Sequence, residues 1–308
     1  MRYKKLLIIL SVIIFLVAIY FITKPYRLNL AATYTKIGDE LVGQNEYAKA
    51  ALEYRKARIL SPGNGQIAFK AGQAYENSEN YQAAYAYYKK AIKLARQNKD
   101  YYLALANLYW RQDEPVEAIF ILRQGLDKIS QNEAKAELNI LLGQIYLAEN
   151  KQEKAKEAFG EADSDYWLGI YWAWNQEYQK AETYFAKSTD ENAELMQEAC
   201  EKILDTANPA TQKVIVAQIL NQTDSARLGL PILKQVTSDY PDYRDGWIFL
   251  GYSYLELKKY DQAVEALQSA LSLDPIYPLT YELLARAYGG KGEAEKAKEY
   301  SDKAENLK

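Results

Sequence analysis

The sequence predicts an all-α protein, a tandem array of helical hairpins behind one N-terminal apolar helix. Three observations carry that expectation. First, a small–large pattern recurs at 34-residue spacing. Gly38 and Tyr54 are followed by Gly72 and Tyr88, then by Ala106 and Leu122, and the device returns at Gly251 and Leu267. A period of this length marks stacked helical hairpins rather than a globular enzyme fold. Second, alanine holds one place in seven units, at Ala50, Ala84, Ala118, Ala155, Ala181, Ala263 and Ala297. Third, Leu6 to Ile22 is an uncharged apolar run broken only by Ser11.

The N-terminal run comes first. As a helix it spans about 25 Å, enough for a thin or slightly adapted bilayer. Tyr3 precedes it, and Tyr20 and Tyr26 mark its far end, where amphipathic rings favour a membrane interface. Arg2, Lys4 and Lys5 lie before it, and Lys24 and Arg27 follow. This bias predicts residues 1–5 in the cytoplasm, a single transmembrane anchor over 6–23, and the remainder extracytoplasmic. A cleaved signal would end in small residues. Here the run ends in Tyr20-Phe21-Ile22-Thr23-Lys24-Pro25, and the nearest small pair, Ala31-Ala32, lies well past it. An uncleaved anchor is expected.

The repeats follow. In the first unit Tyr34, Ile37, Gly38 and Leu41 share one face of a first helix. Ala50, Tyr54 and Ala57 share one face of a second, and Pro62 ends it. Gly38 and Ala50 are expected where the two backbones approach, with Tyr34, Ile37 and Tyr54 filling the flanks. The second unit repeats this with Gly72, Ala84 and Tyr88, the third with Leu105, Ala106, Tyr109 and Ala118, the fourth with Leu142, Gly143, Tyr146 and Phe159. A fifth unit has Gly169, Trp172, Ala181 and Phe185. Its glycine follows the previous one by only 26 residues, so its helices must be shorter. Residues 210–243 keep the register but lack its aromatics, and Pro231 is expected to kink or delay the second helix there. Glu191 to Asp205 reads as an extra helix, followed by Asn208-Pro209. The expected organisation is therefore an N-terminal array over 31–190, a joint over 191–209 and a C-terminal array over 210–308.

The spacing resembles the tetratricopeptide repeat, whose pattern is Trp-x2-Leu-Gly-x2-Tyr, then Ala-x3-Phe, then Pro. The best copy is Trp247, Leu250, Gly251, Tyr254, Ala263, Leu267 and Pro275, departing only in Leu for Phe. The last copy has Ser301 in place of the aromatic, which suits a terminal repeat facing water. The resemblance implies a right-handed superhelical solenoid that binds protein partners along the concave face made by its first helices. It implies contact residues at Phe69, Gln73, Asn107, Trp110, Arg111, Gln144, Tyr166, Trp174 and Tyr252. Aromatic rings beside Arg and amide groups suit a peptide or partner helix. Family members that clamp a C-terminal carboxylate use Lys and Asn at places where this chain has Thr35 and Asp39, so that adaptor role is not expected.

Composition narrows the function further. The chain has 308 residues, 49% hydrophobic and 26% charged, enough to bury a core. Its net charge is −3. Residues 1–26 hold four bases and no acid, leaving 34 basic and 41 acidic side chains, a net −7, on the rest. Such a body is not built for nonspecific nucleic-acid binding, although local basic patches remain open. The chain contains no His, the commonest general base and metal ligand, and one cysteine, Cys200, which reads as a small helical residue. Gly289-Gly290-Lys291-Gly292 lacks the strand and the Ser/Thr of a phosphate loop and falls at a hairpin turn. Asn221-Gln222-Thr223 matches a glycosylation acceptor. No catalytic residue, cofactor or metal is expected. The predicted role is a non-catalytic membrane-anchored scaffold or adaptor for an envelope assembly such as secretion, pilus or cell-wall machinery. A glycan- or peptidoglycan-binding module and an accessory docking subunit of an enzyme complex are the alternatives.

Overall fold

The computed structural model describes residues 2–223 and 226–307. The side chains of 2–9, 11–13, 16–18, 20 and 21 lie outside the described residues. Among the described residues there are seventeen α-helices and no strand, divided between two compact units, Met1–Leu141 and Leu142–Lys308.

In the first unit α1 (Arg2–Gly43) pairs with α2 (Tyr47–Leu60), α3 (Gly65–Asn77) with α4 (Tyr81–Leu94), and α5 (Lys99–Arg111) with α6 (Pro115–Lys128). Helix α7 (Asn132–Ala148) carries the boundary between the units. The second unit continues with α8 (Gln152–Glu161), α9 (Asp165–Trp174), α10 (Tyr178–Phe185), α11 (Ala193–Leu204), α12 (Pro209–Gln222) and α13 (Ala226–Asp239). It closes with α14 (Arg244–Glu256), α15 (Tyr260–Leu273), α16 (Pro278–Gly290) and α17 (Ala294–Asn306). The short fifth hairpin is as expected, with α9 and α10 only 10 and 8 residues long.

Seven hairpins turn in the same way. The second residue after the first helix is left-handed at Asn45, Glu79, Asp113, Asn150, Gln176, Lys258 and Gly292. The next amide reaches back five residues to a carbonyl, as in Glu46 to Leu41, Asn80 to Tyr75, Glu114 to Tyr109 and Glu293 to Tyr288, each at 2.9 Å. This is a Schellman closure, which satisfies carbonyls that the helix end would otherwise strand. Only Gly292 has the residue type that makes such a turn visible in sequence. Helix starts are set by side chains. Asn64, Asn80, Asn98, Ser164 and Asn208 each accept an amide of the first turn.

The glycine–aromatic pairs are the packing unit. A Cβ on Gly38 would lie 2.6 Å from the Tyr54 ring, and one on Gly72 would lie 2.6 Å from that of Tyr88. Gly143 faces Phe159, and Gly169 faces Phe185 in the same way. The small residue therefore seats a ring from the second helix, where the sequence had suggested backbone approach. Tyr54, Tyr88, Phe159 and Phe185 are all buried. Six of the seven repeat alanines are fully buried, and the seventh, Ala297, is half-buried in the last hairpin beside exposed Ser301. Ile37 does not fill the core as expected. It is 37% exposed, because the hairpin partner α2 covers the Gly38 side of α1.

Two further expectations change. Helix α13 begins at Ala226, five residues before Pro231, so the proline neither delays nor ends it. Helix α11 packs against both α10 and α12, and α9 meets α12 directly. The stretch 191–209 holds α11 within the second unit, and the two compact units divide at Leu141–Leu142 on α7. Asn221 is buried on α12, where its amide nitrogen donates to Ser253 Oγ at 2.8 Å and Ser253 Oγ donates to its carbonyl at 3.0 Å. A folded chain cannot offer it for glycosylation.

Among the described residues, no helix is long and apolar enough to cross a membrane. The anchor expected over 6–23 falls largely on side chains outside the described residues, within the continuous helix α1.

Cys200 sits 1% exposed on α11, and burial, then nearby Glu182 and Glu201, push its thiol up to about 12. The neutral thiol therefore persists through pH 9, and a thiolate-directed reagent has neither access nor nucleophile. We expect native protein at pH 8 to react with a chromogenic disulfide at least about 100-fold more slowly than urea-unfolded protein. Equal rates would place Cys200 at the surface.

Candidate functional site

The first helices of the hairpins present the residues expected to touch a partner, and each unit has its own set. In the first unit Gln73 and Asn107 are exposed on α3 and α5, and Trp110 is half-buried at the end of α5. Phe69 is a packing residue. Its ring lies 5.6 Å from Tyr88 and 4.8 Å from Tyr101, so it ties adjacent hairpins together.

Arg111 is exposed but committed to Glu76, which also accepts the Tyr88 hydroxyl. Burial, then Glu76, drives the Tyr88 hydroxyl far above its ordinary range, so it remains a donor. Earlier in the same row Lys70 donates to Asp39 at 2.7 Å, as does the Tyr54 hydroxyl. Burial tends to raise the Asp39 carboxyl, but the hydrogen bonds from Lys70 and Tyr54 outweigh it and leave it below the usual carboxylate range. An ionised Asp39 at this place would repel a carboxylate, in keeping with the missing clamp. Thr35 is also occupied, donating to the Ala31 carbonyl at 2.8 Å.

In the second unit Tyr166 is not a contact residue. It is 5% exposed, its ring lies against Trp167 and Phe185, and its hydroxyl bonds Thr223. Burial pushes that hydroxyl up to about 12, although the Thr223 bond pulls the other way. The direct meeting of α9 and α12 closes over it. Gln144 on α7 is half-buried. Tyr252 on α14 is half-buried too, with the Arg286 guanidinium 5.6 Å from its ring centre and Arg286 bonded to Glu256 at 3.0 Å.

Trp174 lies in a different setting. It lines a pocket of about 350 Å³ with Asn150, Gln176, Lys213, Pro231, Ile232 and Gln235. One wall is the half-buried indole at the end of α9. The α13 segment holding Pro231 also lines the pocket. Pro231 has no amide hydrogen to donate, so this wall meets a ligand with ring carbons and not with a backbone donor. Three amide side chains offer donors and acceptors that match a peptide backbone. Lys213, only 12% exposed and 3.8 Å from Asp239, adds one positive charge. The pocket has no general base, nucleophile pair or metal cluster, and among the described residues no group of three His, Cys, Asp or Glu could hold a metal. The sequence named Trp174 but none of its companions, because they come from turns and helices that the inserted α11 brings together.

Models of the tetratricopeptide repeat match residues 35–99, 77–134, 136–164 and 279–308, and a model described as a TPR repeat matches 251–292. Together they take in more than half of the chain and leave 165–250 outside. No curated protein matches the sequence. A tetratricopeptide repeat protein from Parabacteroides merdae is similar in structure, at 14% identity over 84% of this chain and 99% of that one, with a TM-score of 0.48. The Pseudomonas aeruginosa protein pilF is similar at 15% identity over 72% and 97%, with a TM-score of 0.47. YrrB, described as a TPR protein with an unusual peptide-binding site, is similar at 16% over 72% and 92%, with a TM-score of 0.32. The repeat matches fall on the hairpins whose glycine seats, buried alanines and recurrent turns are described above, and the chain belongs to the tetratricopeptide repeat superfamily.

Proposed function

We propose that this chain is a non-catalytic, membrane-anchored scaffold that holds a peptide or partner helix for an envelope assembly of the secretion, pilus or cell-wall kind. The family's repeats serve protein–protein interaction, and the Trp174 pocket carries the reading for this chain. It joins an aromatic wall, three amides and one cation within a rigid helical frame, the mixture that captures an extended peptide with an acidic or carboxylate group.

The anchor reading rests on the apolar run 6–22 and its basic and tyrosine flanks. It is also supported by α1 itself, where Leu10, Ile14, Phe15, Ile19 and Ile22 are 42 to 77% exposed. Large apolar side chains that no protein covers fit a lipid surround. With residues 1–5 cytoplasmic, the repeats lie outside. Protease added to intact spheroplasts is then expected to remove the repeats and spare the first helix. Protection of the repeats until lysis would reverse the orientation.

The partner reading is tested by crosslinked affinity purification from native membranes, with wild type beside a Trp110→Glu/Trp174→Glu double variant. A protein captured by wild type and reduced at least about tenfold by a still-helical variant is the expected result, since buried aromatic anchors dominate interfaces. The same set from both returns these tryptophans to packing. Capture of glycan instead of protein would favour the carbohydrate reading, for which the Trp174 ring beside three amides is the favouring observation.

A further inference from the structure

The second helices of the first unit hold a feature that the first-helix rows do not use. Helices α4 and α6 border a groove of about 520 Å³ whose floor comes from Ile92, Leu105 and Ile121, all buried below 9% exposure. Phe120 stands on its rim, 65% exposed. Lys89, Lys93 and Arg96 line one side at helical spacing, and Lys128 lines the other. All four cations are exposed, and no acid lines the groove.

Two facts make this more than a solvated face. The chain beyond residue 26 is acidic overall, yet four cations gather at this groove without an acid among its lining residues. Several exposed lysines elsewhere are paired to a nearby glutamate, as in Lys49–Glu46, Lys180–Glu177, Lys296–Glu293 and Lys303–Glu299, whereas others such as Lys154 and Lys202 are not. Among the described residues the groove cations have no such partner, and Lys89 instead lies 5.4 Å from the centre of the Tyr109 ring. An exposed Phe at the lip of an apolar floor adds a side chain that gains from being covered.

We propose that this groove docks an acidic amphipathic peptide segment of a partner protein. Apolar side chains at i, i+3 and i+4 would enter against Phe120, Ile92 and Ile121, and flanking Asp or Glu would meet Lys89, Lys93, Arg96 and Lys128. A free inorganic anion has no use for the apolar floor. A membrane surface reaches protruding side chains more readily than a floor recessed between two helices. Nucleic-acid backbones are read by tracks of cations with successive stacking rings, whereas this groove has one accessible ring, Phe120, and its Tyr102 is only 1% exposed. The proposal does not depend on the Trp174 pocket, which lies in the other unit.

The test uses the full-length protein in neutral detergent and fluorescence anisotropy. The probe is a labelled helical peptide with Leu at one a/d-spaced face and Glu elsewhere, and a control carries Lys for each Glu. The Glu probe is expected to bind at least about tenfold more tightly than the Lys control, and more weakly as salt rises. Lys93→Glu/Arg96→Glu is expected to weaken the Glu probe at least about tenfold, and Phe120→Ala about threefold or more. All three positions are solvent-exposed, so unchanged helicity and thermal melting are expected and are checked first. Equal binding of both probes, no binding of the Glu probe, or binding indifferent to both variants overturns the proposal. So does short-chain phosphatidylglycerol that binds at lower concentration than the peptide and is lost in Lys93→Glu/Arg96→Glu, because it assigns the groove to lipid.

Discussion

Gly143→Ala is expected to destabilise the chain by about 2 kcal/mol, and Phe159→Leu is expected to relieve much of that loss when the two are combined. The reason lies in the seat between α7 and α8. A Cβ on Gly143 would overlap the ring of Phe159, which is fully buried and cannot swing outward. Overpacking of this kind costs about 1–3 kcal/mol. It outweighs the gain of up to about 1 kcal/mol that alanine brings to a helix interior. The chain already contains the compensated form. Where the small place is Ala106 the opposing residue is Leu122, and where it is Ala285 the opposing residue is Ser301. The aromatic partners all face glycine, while Gly251 shows that glycine also accepts Leu267. Urea unfolding of the four proteins of the double-mutant cycle should show the combined loss falling short of the summed losses by at least about 1 kcal/mol. Strict additivity would mean that ring and glycine are not in one seat.

The recurrence of glycine and large residue was legible in the sequence because it is periodic, whereas the seating of the ring on the glycine was not. The hairpins, the shorter fifth unit and the helix near 191–205 were legible for the same reason. What periodicity cannot carry is chemistry that varies between units. The left-handed turn falls on Asn45, Glu79, Asp113, Gln176 and Lys258, which share geometry but no residue type, so backbone hydrogen bonds and not composition mark it. The sequence expects Pro231 to kink or delay its helix. It lies inside α13, where it costs one backbone hydrogen bond in a helix otherwise held by buried Leu228, Ile232, Leu233 and Val236.

The candidate sites separate along the same line. Trp174 stood out because it fills no repeat position. Lys213, Asn150 and Gln235 did not, since what brings them to it is the inserted helix α11 and the direct contact of α9 with α12. That contact also explains Tyr166. In a regular array its position faces a partner, but here α12 closes over it. The basic groove escaped notice because its cations come from two helices about 30 residues apart, and each helix alone resembles a solvated charged face.

Asn221→Asp is expected to destabilise the chain by about 3 kcal/mol at pH 7.5 and by much less at pH 4.5. The side chain is buried between α12 and α14 and exchanges two hydrogen bonds with Ser253, itself fully buried. The amide is both donor and acceptor there. A carboxylate is acceptor only, so the Ser253 oxygen loses its donor while a charge is placed in a buried setting beside Ala217 and Gly229. Burial raises the folded-state pKa of the introduced carboxyl above its unfolded value of about 4. Below that value both states are protonated, and the neutral acid can still donate, so the penalty is small. As pH rises from the unfolded towards the folded pKa, only the unfolded state sheds its proton, and stability falls. Above the folded pKa the penalty is constant. Asn107→Asp is the control, since Asn107 is exposed and its change should stay within about 0.5 kcal/mol at both pH values. Urea titrations of wild type and both variants at the two pH values measure the effect. A penalty at position 221 that is equal at both pH values would show that the cost is lost geometry, with the carboxylate reaching water. A penalty no larger than the control's would mean that the Asn221–Ser253 pair does not hold α12 to α14.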